Sequence, residues 1–149
     1  ATLAENDCAT PALITAALLH DIGHLLHDLP EDSTDMGVDD EHETLGEQYL
    51  GRAFGPDVTV PVRLHVPAKR YLCAVEPAYM NDLSAASKTS LSMQGGPLSV
   101  EEIRAFEGLT FWRDAVRVRR WDDLAKVEGM TTPPFSHFTV YLEEALETS

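Results

Sequence analysis

Leu18-Leu19-His20-Asp21-Ile22-Gly23-His24 sets a histidine and an aspartate side by side at the end of an apolar run. Burying such a pair is costly unless something compensates for it. A divalent cation does so, because neutral imidazole and carboxylate are both metal ligands. Read as one helix, the run begins with Thr10 as N-cap and Pro11 at the first helical position. It continues through Leu13, Ala16, Ala17 and Leu18 to His20, His24 and His27. His20 and His24, four apart, would then share a face. Gly23 lets a neighbouring helix come close. The plainer alternative is a core histidine satisfied by the backbone, and the His-Asp-x-x-His grouping favours a site.

Outward from this helix, the pattern stays helical. Asp28 to Asp39 reads as a polar loop with Pro30 and Gly37. Asp40 is placed to cap a second helix through His42, Leu45, Gln48, Tyr49 and Leu50, stopped by Gly55-Pro56. A third helix is expected from about Asp57–Pro61 through Leu64 and His65, with Pro67 limiting it or shifting its register. Lys69 to Tyr79 is expected to be helical in part. Ser84 to Gly96 is polar and ends in a loop, Gln94-Gly95-Gly96-Pro97. Ser99 and Glu102 form a capping box for a short helix through Phe106. Thr110 is expected to cap a long helix from Phe111 to about Val127, with Gly129 after it. Pro133-Pro134 leads to a last helix near Ser136–Leu146. No segment shows the period of a strand, so the fold class is all-α, in one domain over residues 1–149.

Three further residues fit the His-Asp pair. His42 opens the second helix, His65 sits late in the third, and Asp122 lies on the long late helix. Singly, each has an ordinary reading: a capping or surface histidine, or an aspartate bridged to Arg119 or Lys126. Together they are ligands delivered from separate helices. Asp122 follows Phe111, Ala115 and Val118 along an apolar face, which leaves Asp123 as the surface member of the pair. Arg113, Arg117 and Arg120 share a face that reads as salt-bridging. The aromatics Phe111, Trp112, Trp121, Phe135, Phe138 and Tyr141 read as packing residues.

Composition narrows the function classes. The 149 residues, 44% hydrophobic and 24% charged, describe a globular chain. The net charge of −14 argues against a nucleic-acid partner, whose attraction is largely electrostatic. No Lys or Arg precedes Arg52, so the first third is purely acidic, either as a solvated surface or as an attractor of metal. No apolar run is long enough to span a bilayer. Cys8 and Cys73 form no CxxC and no disulfide framework, so a reduced, cytoplasmic setting and no membrane partner are expected.

These residues resemble the HD-domain metal-dependent superfamily: His20-Asp21, with His42, His65 and Asp122 on flanking helices. One branch is closer still. His20-Asp21-Ile22-Gly23-His24, His65-Val66-Pro67-Ala68-Lys69-Arg70-Tyr71-Leu72, Gln94-Gly95-Gly96-Pro97 and Arg120-Trp121-Asp122-Asp123 are similar to the diiron oxygenases of organophosphonate catabolism, the PhnZ and TmpB type. The resemblance implies an HD-domain helical bundle with two iron ions (Fe2+/Fe3+) bridged by Asp21. It gives one iron His20 and Asp122, and the other His42 and His65. It implies that His24 and Lys69 bind the phosphonate oxygens and act in catalysis together with Asp21, and that Ser87 and Ser90 lie at the same group. The implied partners are a small anionic phosphonate and O2. The implied reaction takes a C–H hydrogen from a 1-hydroxyphosphonate and breaks the C–P bond to a carboxylate and phosphate.

The residue chemistry agrees in part. Lys69 is a compact, hydrated charge suited to a phosphonate. A carboxylate such as Asp21 has two oxygens to share between ions. Residue types alone leave iron, manganese, magnesium and zinc open. The superfamily's first histidine precedes the His-Asp pair on an upstream helix, and no histidine precedes His20. A further helical segment upstream of Ala1, carrying that histidine with a Tyr and a Glu, is therefore expected. The alternatives are an HD-type phosphohydrolase, whose metals activate water, and a catalytically dead HD domain kept for binding. Lys69 and the Gln-Gly-Gly-Pro loop favour the oxygenase over the first. The ligand set His20, Asp21, His42, His65 and Asp122 argues against the second.

Overall fold

The computed structural model describes residues 1–26 and 41–147. His27, the loop expected over 28–39 and the capping role expected of Asp40 lie outside the described residues. Among the described residues the structure is all helical: α1 (Thr2–Asn6), α2 (Pro11–Leu19), α3 (His42–Leu50), α4 (Pro56–Val75), α5 (Pro77–Asp82), α6 (Ala85–Met93), α7 (Val100–Glu107), α8 (Trp112–Ala125) and α9 (Thr139–Glu147), with 3-10 turns at Ile22–Leu25 and Phe135–Phe138.

α4 is the axis of the molecule and packs against α2, α3 and α8. Val58 and Val62 join Leu13, Ile14, Ala16, Val118 and Trp121 in one apolar cluster. One side further on, Leu64, Ala68, Tyr71 and Leu72 meet Leu98, Phe106 and Ala115. This burial explains why α4 runs on through Pro67, expected to limit it or shift its register. Pro61 and Pro67 both lie inside the helix. An internal proline costs about 3 kcal/mol, whereas each fully buried Val or Leu contributes roughly 1.5–3 kcal/mol. Val58, Val62, Leu64 and Leu72 are all buried.

Local signals hold at two helix starts. Thr10 accepts from the Leu13 N–H with Pro11 following, and Ser99 with Glu102 forms the complete capping box. They fail at a third. Phe111, not Thr110, is the N-cap of α8, in the left-handed region at φ 62° and without a side-chain cap. The α3 N-cap is Glu41, also left-handed. α3 stops at Gly51 rather than at Gly55-Pro56. The polar stretch after Ser84 forms α6, capped by the Ser84 side chain.

The largest correction concerns the opening run. α2 ends at Leu19, and His20 to His24 do not continue it. His20 is the C-cap, Asp21 sits at φ −98°, ψ 11°, and Ile22–Leu25 is a separate 3-10 turn. His20 and His24 therefore do not share a helical face.

Candidate metal centre

The break after Leu19 shapes the site. The last carbonyls of a helix lack intrahelical partners. His20 Nδ1 lies 3.1 Å from the Ala17 carbonyl, so it donates there and leaves Nε2 as the lone pair. His65 repeats the device on α4, with Nδ1 2.6 Å from the Val62 carbonyl. His42, the first residue of α3, has Nδ1 3.7 Å from Glu43 Oε2. The first two contacts are of the kind that fixes the tautomer of a metal-binding histidine.

The free faces converge on Asp21. Its Oδ1 lies 3.7 Å from His42 Nε2 and 3.6 Å from His65 Nε2. Its Oδ2 lies 3.3 Å from His20 Nε2, which is 3.6 Å from Asp122 Oδ1. Two triads result, Asp21-His42-His65 and His20-Asp21-Asp122, and each brings its ligand atoms within 4.8 Å of one another. Asp21 belongs to both. His42 and His65 present their Nε2 atoms 3.2 Å apart. Two nitrogens each about 2.1 Å from one ion would stand roughly 3.0–3.4 Å apart, so this spacing fits a shared cation. His20 Nε2 is buried with no hydrogen-bond partner, the kind of orphan that an ion would satisfy.

Electrostatics favour the ligating forms of Asp21, Asp122 and His65. Burial alone would raise the Asp21 carboxyl, but His20 and then His65 and His42 outweigh it and hold it well below the usual carboxylate range. Asp122 is likewise depressed against its burial, by His20, Arg119 and Lys126. Burial, then His20 and His42, pushes His65 down to about 3, so its imidazole stays neutral. His20 resists burial and rises to about 9 because Asp122 and Asp21 flank it. A proton there stands where a cation would.

Gly23 has the role expected of it. A Cβ at this position would sit 1.8 Å from the His42 carbonyl oxygen. The 3-10 turn thus abuts the start of α3, and the His24 ring stacks on His42 with centroids 3.9 Å apart.

Of the residues expected at the anion, Lys69 lies one turn beyond His65 on α4. Lys69 is 3% exposed and donates to Ser90 Oγ at 2.7 Å. Ser90 in turn donates to the Ser87 carbonyl, while the Ser87 hydroxyl accepts from Ser84. Burial, then the neighbouring Arg119 and Lys126 charges, lowers the Lys69 ammonium to about 8.

Arg119 was not singled out as a site residue by the sequence, and it is buried. Its Nη1 meets Asp122 Oδ2 at 3.0 Å, leaving Oδ1 towards His20. Its other nitrogens pair with Asp123 and Tyr79. Asp123 is therefore a partly buried brace for Arg119, not a free surface acid. The available signal was spacing: Arg119 stands three and four residues before the two aspartates. Asp122 also makes the bridge to Lys126, at 3.0 Å. Arg113 lies over Trp112, while Arg117 and Arg120 pair with Asp114 and Glu76.

Residues 1–84 match the HD domain family. The hydroxymethylphosphonate dioxygenase of Gimesia maris is 48% identical over 150 residues, covering all of this chain and 75% of that protein. The [1-hydroxy-2-(trimethylamino)ethyl]phosphonate dioxygenase (glycine-betaine-forming) of Leisingera caerulea is 40% identical over 147 residues, covering 99% of this chain and 75% of that protein. A protein of Acanthamoeba polyphaga mimivirus is 34% identical, over all of this chain and 69% of its own length. No helix among the described residues is long and apolar enough to cross a membrane.

Proposed function

The chain belongs to the HD-domain family, and we propose that it is a diiron oxygenase that uses O2 to cleave the C–P bond of a small 1-hydroxyphosphonate. The observation that carries this reading is the pair of ligand triads sharing Asp21, with the buried cation Lys69 one helical turn from His65. Two relatives that match nearly the whole chain bear the names of hydroxyphosphonate dioxygenases.

His20 and Asp122 would hold one ion, His42 and His65 the other, and Asp21 would give one oxygen to each. When bound, an iron pair held as Fe2+/Fe3+ supplies the redox chemistry that O2 requires, which no side chain of the site provides. The protein's part is to bind and orient. The Lys69 ammonium, dry and held by Ser90, offers its remaining protons to the phosphonate oxygens. His24, stacked on His42, stands at the edge of the same site. The Asp122 carboxylate stays ionised between His20 and Arg119.

The reaction balances without a further reductant. Hydroxymethylphosphonate and one O2 contain the atoms of formate and phosphate. The iron-loaded protein should release one phosphate for each O2 consumed, and none under argon. Phosphate released from a phosphomonoester at a comparable rate without O2 would instead make it an HD phosphohydrolase.

Lys69→Ala should raise KM for the phosphonate by roughly 10- to 100-fold, the worth of a hydrogen bond to a charged group, while kcat and both irons are retained. In the unsubstituted protein KM should climb as pH rises through about 8, where Lys69 loses its proton. Lys69→Met should abolish that limb. Equal KM for Lys69→Ala and wild type would remove Lys69 from the site.

A further inference from the structure

The Gln94-Gly95-Gly96-Pro97 turn contributes no ligand to the centre, and its role lies in what Arg70 does to it. Arg70 follows Lys69 on α4. Its Nε donates to the Gly96 carbonyl at 2.8 Å, and its Nη2 meets Glu102 Oε1 at 3.0 Å. Glu102 is the acid of the α7 capping box. The Arg70 carbonyl accepts from the Leu98 N–H at 3.3 Å. One residue therefore grips the turn by side chain and backbone.

The turn is the C-terminal end of α6, closed by Gly96 N–H to the Leu91 carbonyl. Ser87 and Leu91 are the buried residues of α6. Among the described contacts, α6 is held by one small cluster, Leu91 with Cys73 and Leu83 flanked by Tyr79 and Met80, and by Lys69 to Ser90. So small an apolar contact fixes a helix weakly.

We propose that Arg70 is a positioning residue for substrate binding: its clamp on Gly95-Gly96 holds α6 so that Ser87 and Ser90 stay in register with Lys69. α4 thereby sets three things in sequence, the ligand His65, the cation Lys69 four residues later, and the clamp that places the serine wall. This role rests on the phosphonate reading of the site.

The test uses the iron-loaded chain and hydroxymethylphosphonate, with binding measured without O2. Arg70→Lys keeps the charge and loses the fork. It should weaken binding roughly tenfold, as expected for one contact of a charged group, with two irons retained. Amide exchange over residues 85–93 should quicken while α8 stays protected. Combined with Ser90→Ala, the two effects should be far less than multiplicative, because both act through one contact. Gly95→Ala provides a second route to the same outcome. Gly95 has φ 93°, and a Cβ there would lie 3.3 Å from Arg70 Nη2. Unchanged binding and exchange in both variants would overturn the proposal, as would full multiplicativity with Ser90→Ala. Failure of the unsubstituted protein to bind the phosphonate would overturn the reading of the reaction. The exchange measurement still reports on the clamp in that case.

Discussion

Asp21→Asn should leave the protein folded but unable to hold the two metals proposed for it, with activity lower by well over 100-fold. The substitution keeps the volume and removes the charge. Changes to groups that merely support a ligand cost about 10- to 100-fold in metal affinity or activity. In the proposed centre Asp21 would serve both ions at once, since its two oxygens face His20 on one side and His42 and His65 on the other. Its side chain is half exposed, so no core is opened by the change. Metal analysis after dialysis, together with thermal unfolding of the metal-free protein, separates the two consequences. Two tightly held irons in Asp21→Asn would refute the bridging role. His20→Ala should be milder in metal count, sparing the ion placed between His42 and His65.

How much of this could be read from the sequence differs by residue. The candidate ligands stood out because their chemistry is compositional: a His-Asp pair closing an apolar run calls for a cation, and three further ligand types stood on separate helices. Their convergence depends on α4 passing beside α2, α3 and α8, and the apolar pattern of Val58, Val62, Leu64 and Leu72 permits that. The end of α2 was not legible. Nothing between Leu18 and His24 breaks a helix except Gly23, and the helix stops four residues before it. Tertiary demands prevail there: the turn lets Asp21 face both triads and lets Ile22–Leu25 seat against α3. α6 was hidden for another reason. Its Ser- and Thr-containing sequence has weak helix propensity, and the Ser84 cap with Leu91 and Lys69 contacts supplies the rest. Arg119 was masked by Asp122 and Asp123, which gave it an ordinary surface explanation.

Gly23→Ala tests the tightest backbone approach between this turn and the residues of the centre. The added Cβ would fall 1.8 Å from the His42 carbonyl oxygen and 2.9 Å from its Cα. Both are backbone atoms, so no flexible side chain can swing away. Either the 3-10 turn or the start of α3 must move, and His42 leads α3. Overpacking of this kind costs about 1–3 kcal/mol, occasionally more, and a backbone clash belongs at the upper end. The melting temperature should therefore fall by several degrees. Loss of the metal proposed for His42 and His65 should accompany it, because His42 Nε2 would leave its 3.2 Å approach to His65. Gly46→Ala provides the contrast. Its Cβ would meet the Val62 Cγ1 at 3.2 Å, a side-chain contact that can yield, so a smaller fall and two retained irons are expected. A Gly23→Ala protein with wild-type stability and full iron content would mean that the turn and α3 are not locked together, and that the position of His42 is set by α4 alone.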